Sequence, residues 1–172
     1  MKTIHKSVLL AHSAEQMYAL VTDVASYPAF LPWCDKARVV ETHADGVTAE
    51  IGLRLAGVRQ SFTTRNTQTP PREVRLRLVK GPFSKLDGVW RFAPLAQPGA
   101  ANGRGSVSAA ADPSPSTGNV AGEGGACRVE LDLSYGFDNF ALSALVGPIF
   151  DKIAASLVDA FVKRADAVYG NA

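Results

Sequence analysis

The chain has 172 residues, 47% of them hydrophobic, and its 18 basic and 16 acidic side chains leave a formal charge of +2. That length fits one domain with a real apolar core, and the near-neutral balance says little about partners. No run of about 20 apolar residues is present, and Val8–Ala11 is too short for a signal-peptide core, so the chain reads as intracellular.

The first element is a strand over Thr3–Leu10, with Ile4, Lys6, Val8 and Leu10 on one side. Ser13 opens a helix: Ser13 and Gln16 have capping-box spacing, and Met17, Leu20, Val21 and Val24 follow as its apolar face. Asp23–Cys34 carries two prolines and three aromatics, which suits a short second helix or turn capping an apolar space. The period then changes to two. Arg38–His43 and Val47–Ala56 are joined by Asp45-Gly46, a hairpin signal. Val58–Asn66 follows, with Val58, Gln60, Phe62 and Thr64 opposite Arg59, Ser61, Thr63 and Arg65, and Pro70-Pro71 breaks it. Val74, Leu76 and Leu78 alternate with Arg75 and Arg77, and Leu86–Phe92 makes a sixth strand.

Residues 96–126 differ in kind, being almost entirely Gly, Ala, Ser, Pro and Asn. Such a segment buries too little apolar surface to offset its ordering entropy, and it reads as a low-complexity insertion in a single domain over residues 1–170. Cys127–Phe137 alternates again as a seventh strand. Pro148–Tyr169 has apolar side chains at Ile149, Phe150, Ile153, Leu157, Ala160, Phe161, Ala165 and Val168, one stripe along a helix of roughly 20 residues and ~30 Å. Pro148 suits its first turn and Gly170 the left-handed residue past its end. A strand, two short helices, six strands and one long helix imply an α+β architecture, an antiparallel sheet with one face covered by that helix.

Asp23-Val24, Tyr27-Pro28, Phe30-Leu31-Pro32-Trp33-Cys34, Phe62-Thr63-Thr64-Arg65-Asn66, Gly81-Pro82-Phe83, Trp90-Arg91-Phe92, Phe161, Arg164-Ala165 and Tyr169-Gly170 resemble, in that order, the START-like superfamily (SRPBCC, polyketide cyclase/dehydrase type). Within it they resemble the branch that holds the coenzyme Q-binding START proteins and the bacterial ribosome association toxins. The resemblance covers nearly the whole chain outside 96–126. It implies a helix-grip fold, in which a curved seven-stranded antiparallel sheet wraps the C-terminal helix around an apolar cavity. It also implies one of two roles. The first is binding of ubiquinone or a related isoprenoid lipid in support of respiration, and the second is a toxin that binds the large ribosomal subunit and blocks subunit joining.

No nucleophile, base and orienting acid stand together as a set, and the chain lacks a Gly-x-Ser-x-Gly elbow, a phosphate loop and a His-Glu-x-x-His helix. No catalytic residue is assigned, and the cyclase label of the wider superfamily rests on fold analogy. Cys34 and Cys127 are far apart and out of ligand spacing with His5, His12 and His43, so no metal site and no cofactor is expected, only two reduced thiols. The residues expected to line the pocket are Trp33, Phe62, Phe83, Trp90, Phe92, Ile149, Ile153 and Leu157, with Gln60 and Thr64 as inward polar groups for a ligand head. Arg59, Arg65, Arg75 and Arg77 alternate outward on adjacent strands and are the expected face for an anionic partner, the phosphates of RNA or of lipid head groups. With no outward aromatic among them to stack on bases, RNA would be met through backbone or shape. The partners expected are thus a hydrophobic small molecule, the large ribosomal subunit on the toxin reading, and a peripheral contact with the inner membrane for a cytoplasmic carrier of lipid. Nothing points to DNA.

Overall fold

The computed structural model describes residues 2–55, 57–95 and 125–170. Its strands are β1 Lys2–Leu10, β2 Cys34–His43, β3 Gly46–Leu55, β4 Val58–Thr69, β5 Glu73–Lys80, β6 Phe83–Pro94 and β7 Cys127–Phe137. Helix α1 is Ala14–Thr22, a single 3-10 turn spans Val24–Ser26, α2 is Tyr27–Phe30 and α3 is Phe140–Tyr169. The strands form one sheet in the order β1-β7-β6-β5-β4-β3-β2, every pair antiparallel. This is the α+β sheet-and-helix arrangement expected from the order of elements, in the helix-grip form that the family resemblance implies. Residues 96–124 of the expected insertion lie outside the described residues. Immediately beside them the β6–β7 ladder runs to Pro94 opposite Cys127, and Leu95 N–H donates to Ala126 O at 3.0 Å.

Local chemistry explains most boundaries. Ser13 Oγ accepts from Gln16 N–H at 3.0 Å and Gln16 Oε1 accepts from Ser13 N–H at 2.9 Å, a completed capping box that satisfies two of the orphan donors of α1. The β2–β3 turn leads straight into Gly46, whose φ of 156° is hard for an L side chain and whose missing Cβ would sit 1.9 Å from Asn66 O. Bulges in β2, β5 and β6 bend the sheet.

The long helix begins earlier than the apolar stripe suggests. Asn139 caps it, its side chain accepting from Leu142 N–H at 2.7 Å, and Pro148 sits inside the helix rather than in its first turn. The first two turns present Phe140, Ala141, Ala144 and Leu145 outward, so no amphipathic period marks them, and Phe140 is 87% exposed. Val146, Phe150, Ile153, Ala154, Val158, Phe161 and Ala165 are buried, whereas Val168 from the expected stripe is exposed. By length and composition alone α3 could cross a bilayer. Here it is the core helix of the grip, its buried stripe packed on the sheet. Two polar ties hold it, one in its middle and one near its C-terminal end: Asp151 joins Lys2 Nζ at 2.6 Å and the buried Tyr135 hydroxyl, and Asp166 bonds the buried His12 Nε2 at 2.9 Å.

Candidate ligand-binding cavity

The inward faces of β3 to β7 and the stripe of α3 do not meet everywhere. A cavity of about 90 Å³ remains between them. Phe62, Trp90 and Leu133 from the sheet, Ile153, Ala154 and Leu157 from α3, and Val21, Val24 and Leu31 from the α1–α2 segment enclose it. Trp33 stands at one side. Phe161 holds Trp90 edge-on with ring centroids 5.2 Å apart, so the indole is fixed rather than free to fill the space. Burial, with the charges of Cys34 and Asp23 adding to it, raises the pKa of Tyr27, which stays a neutral phenol. Its hydroxyl donates to Val21 O and braces the turn above the cavity.

Of the ten expected lining residues, six are brought together here: Trp33, Phe62, Thr64, Trp90, Ile153 and Leu157. The other four are elsewhere. Gln60 lies in a shallow surface depression with Asp35, Gly52 and Arg59, because β4 has run out beyond the end of the cavity at that point. Phe83 sits one layer behind the cavity wall, its ring 5.5 Å from Phe62 and 5.1 Å from Phe150, both of which line the cavity, and 5.1 Å from Phe137, and Ile149 packs half-buried against the same cluster. Phe92 stands behind Trp90 in a parallel pair at 6.2 Å and edge-on to Tyr18.

The polar wall is longer than the sequence suggested. Asn66 and Gln68 continue the inward row begun by Thr64, and all three line the cavity. Thr64 Oγ1 donates to Asn66 Oδ1 at 2.7 Å, both groups buried. Among the described residues nothing accepts from Asn66 Nδ2, which leaves an amide donor in an apolar chamber for a ligand acceptor. The signal for these two residues was present: β4 extends to Thr69, and alternation carried past Asn66 puts 66 and 68 on the same face as 62 and 64.

Size constrains what the cavity can do. At about 90 Å³ it is smaller than the engineered cavity of about 150 Å³ that takes up benzene. A quinone ring or lipid tail therefore enters only if a wall moves outward.

On the outer face of the sheet Arg65, Arg75 and Arg77 are neighbours, Arg65 standing opposite Arg77 and Thr67 opposite Arg75 in the β4–β5 register. Arg59 is six residues from Arg65 along β4, about 20 Å away, next to Arg54. Carboxylates thin the positive field: Asp35 of β2 lies 3.5 Å from Arg59, Asp45 of the β2–β3 turn 2.6 Å from Arg65, and Glu73 of β5 itself 2.5 Å from Arg75. The Arg65 guanidinium, by its hydrogen bond, holds the Asp45 carboxyl below its usual value. The face is of mixed charge, with Arg77 unpaired among the described residues. No group of three or more His, Cys, Asp or Glu suited to a metal occurs among the described residues.

A curved antiparallel sheet closed by one long helix over an apolar chamber defines the class, a START-like helix-grip protein. The chain belongs to the polyketide cyclase / dehydrase and lipid transport family, which matches it over residues 10–162. It is 37% identical to the ribosome association toxin RatA of Escherichia coli K12, over 98% of this chain and 90% of that one. It is 27% identical to the mitochondrial coenzyme Q-binding protein COQ10 homolog B of Xenopus laevis, over 96% of this chain and 58% of that one. Among solved structures the ZhuI aromatase/cyclase of Streptomyces sp. R1128 superposes with a TM-score of 0.71 at 13% identity, covering 99% of both chains. A START superfamily protein from Mycobacterium smegmatis gives 0.59 at 18%, covering 94% of this chain and 92% of that one. At such identities the likeness to both structures is one of fold.

Proposed function

We propose that this chain is a non-enzymatic binder of a hydrophobic ligand, an isoprenoid quinone or similar lipid held between the sheet and α3, and that it serves respiration from the cytoplasm, meeting the inner membrane to exchange its cargo. The observation that carries this reading is the cavity itself, apolar but for Thr22 on one side and the row Thr64, Asn66 and Gln68 on another. A quinone carbonyl would accept from the free Asn66 amide while the ring packs on Trp90 and the isoprenoid tail runs along α3. The coenzyme Q-binding name of the Xenopus relative supports the ligand class.

A second reading has its own support. The relatives at 33–37% identity named as ribosome association toxins match this chain over nearly all its length, so association with the large ribosomal subunit is the alternative, with Arg65, Arg75 and Arg77 as the face for phosphates. The two readings separate in one experiment with two arms: native mass spectrometry of protein gently extracted with lipids, and sucrose-gradient sedimentation of ribosomal fractions. A carrier retains a quinone-class adduct that is lost in Asn66→Leu and runs free of ribosomes. Absence of any adduct, together with no saturable binding of a quinone analogue, overturns the carrier reading, and cosedimentation with the large subunit then establishes the alternative.

A further inference from the structure

Outside the cavity, between α2, the chain leading into β2 and the outer side of α3, lies a groove of about 450 Å³. Phe30, Trp33 and Ala160 give it an apolar floor, and Lys163, Arg164 and Asp159 stand at its rim. Trp33 is its shared wall with the interior cavity, so the two spaces are separate compartments.

Arg164 is the anomaly. It is half-buried, its Nε is wholly shielded from solvent and has no hydrogen-bond partner, and its guanidinium lies 5.0 Å above the Phe30 ring. No carboxylate of the described residues pairs with Arg164 or with Lys163, and Asp159, one turn before Lys163 on the same helix, is not within ion-pair distance of either. A shielded guanidinium nitrogen with no acceptor is costly, and the ring face beneath it returns only part of that cost. The groove thus offers two cations against one carboxylate, a planar fork of unused donors and an aromatic floor. These match an oxyanion joined to an apolar body.

We propose that this groove is a second binding site, for an amphiphile whose phosphate or carboxylate sits on Arg164 and Lys163 and whose hydrocarbon lies on Phe30 and Trp33. The site is independent of what the interior cavity holds. A neutral amphiphile would gain only the floor, and a free anion only the rim.

The test uses the full chain carrying Trp90→Phe, which leaves Trp33 as the single tryptophan reporter at the groove. Dodecyl phosphate below its micelle concentration, 1-dodecanol and inorganic phosphate are titrated by fluorescence and calorimetry. Dodecyl phosphate should bind at least about ten-fold tighter than either of the others, and Arg164→Met should lose about that factor, the scale of a hydrogen bond to a charged group. Arg164→Met should melt at or above the parent temperature, since it removes an unpaired charge, whereas a purely structural arginine would give a lower melting temperature. Adding Ala154→Phe, which fills the interior cavity, should leave the affinity within about two-fold. Equal binding of dodecanol overturns the proposal, as does equal binding of inorganic phosphate, unchanged affinity in Arg164→Met, loss of binding in Ala154→Phe, or no saturation by dodecyl phosphate.

Discussion

Ala154→Phe is the most direct probe of the interior. Ala154 is fully buried on α3 and its methyl group faces the cavity, with no charge or hydrogen bond to disturb. The phenyl ring it would receive is the size of benzene, and the space is about 90 Å³ against the roughly 150 Å³ of the engineered cavity that holds benzene. The ring therefore fills the chamber and pushes on its walls, at an overpacking cost of about 1–3 kcal/mol. For a chain of this length that lowers the melting temperature by roughly 2–12 °C. Ala154→Leu adds three carbons to the same space and should be close to neutral. Binding is read by quenching of Trp90 in a Trp33→Phe background on titration with a short-chain ubiquinone analogue, and occupancy should fall in the order Ala, Leu, Phe at matched circular dichroism. Ala160→Phe is the control, because Ala160 lines the outer groove and not the cavity and the added ring leaves Trp90 the single tryptophan. Unaltered affinity in a folded Ala154→Phe protein would sink the placement of the ligand between sheet and helix.

Three further outcomes follow from particular contacts. Excising Gln97–Gly125 and joining the ends by a short turn should change the melting temperature little, because the β6–β7 ladder already closes at Leu95 and Ala126. A large drop would mean the excised segment is packed. Reversing Arg75 and Arg77 to Glu should abolish any salt-sensitive association with ribosomes or anionic vesicles while leaving the fold intact, since both are exposed on the outer face of β5, and unchanged cosedimentation at low salt would remove that face from the account. Burial raises the Cys34 thiol to about 11 and does the same to Cys127. At pH 8 a thiol with that value is about one part in a thousand thiolate, so alkylation of native protein should be very slow and should climb with pH. Rapid labelling at pH 8 would contradict the burial of both.

The sheet and its inward residues were legible because a strand side chain repeats every two residues and the turns were punctuated by Asp45-Gly46, Pro70-Pro71 and Gly81-Pro82. The start of α3 was not, since Phe140 and Leu145 are exposed apolar residues that give no period, and the local cap at Asn139 carries that boundary instead. Phe83, Phe92 and Ile149 met the pattern of inward apolar residues and are inward. Alternation assigns a face but not a distance along the strand, so it could not tell the cavity from the solid core on either side. Gln60 fails for the same reason at the strand's other end. The basic stretch from Arg54 to Lys85 looked one-signed in sequence because Asp35 and Asp45, which meet Arg59 and Arg65, come from outside it.

Because the cavity is smaller than any quinone, one wall has to give way on binding, and the contacts favour one. The sheet walls are continuous ladders, each bound on both sides. Helix α3 is tied at Asp151 to Lys2 and Tyr135 and near its end at Asp166 to His12. The turn Val24–Ser26 and α2, by contrast, present Val24, Tyr27 and Leu31 to the cavity on only two short helical turns. Their fixings are the Tyr27 hydroxyl on Val21 O and single backbone bonds such as Leu31 N–H to Tyr27 O at 2.9 Å. Local stability follows such fixings, so this segment should open first. Hydrogen exchange should show amides of residues 24–31 exchanging faster than those of β4 to β7 in the free protein, with ligand altering protection at 24–31 first. Removing the brace by Tyr27→Phe should speed both exchange at 24–31 and the rate of ligand uptake, with a smaller change in affinity. If protection changes on binding fall in α3 instead, with residues 24–31 unaffected, the helix is the moving wall and the ties at Asp151 and Asp166 are not the clamps argued above.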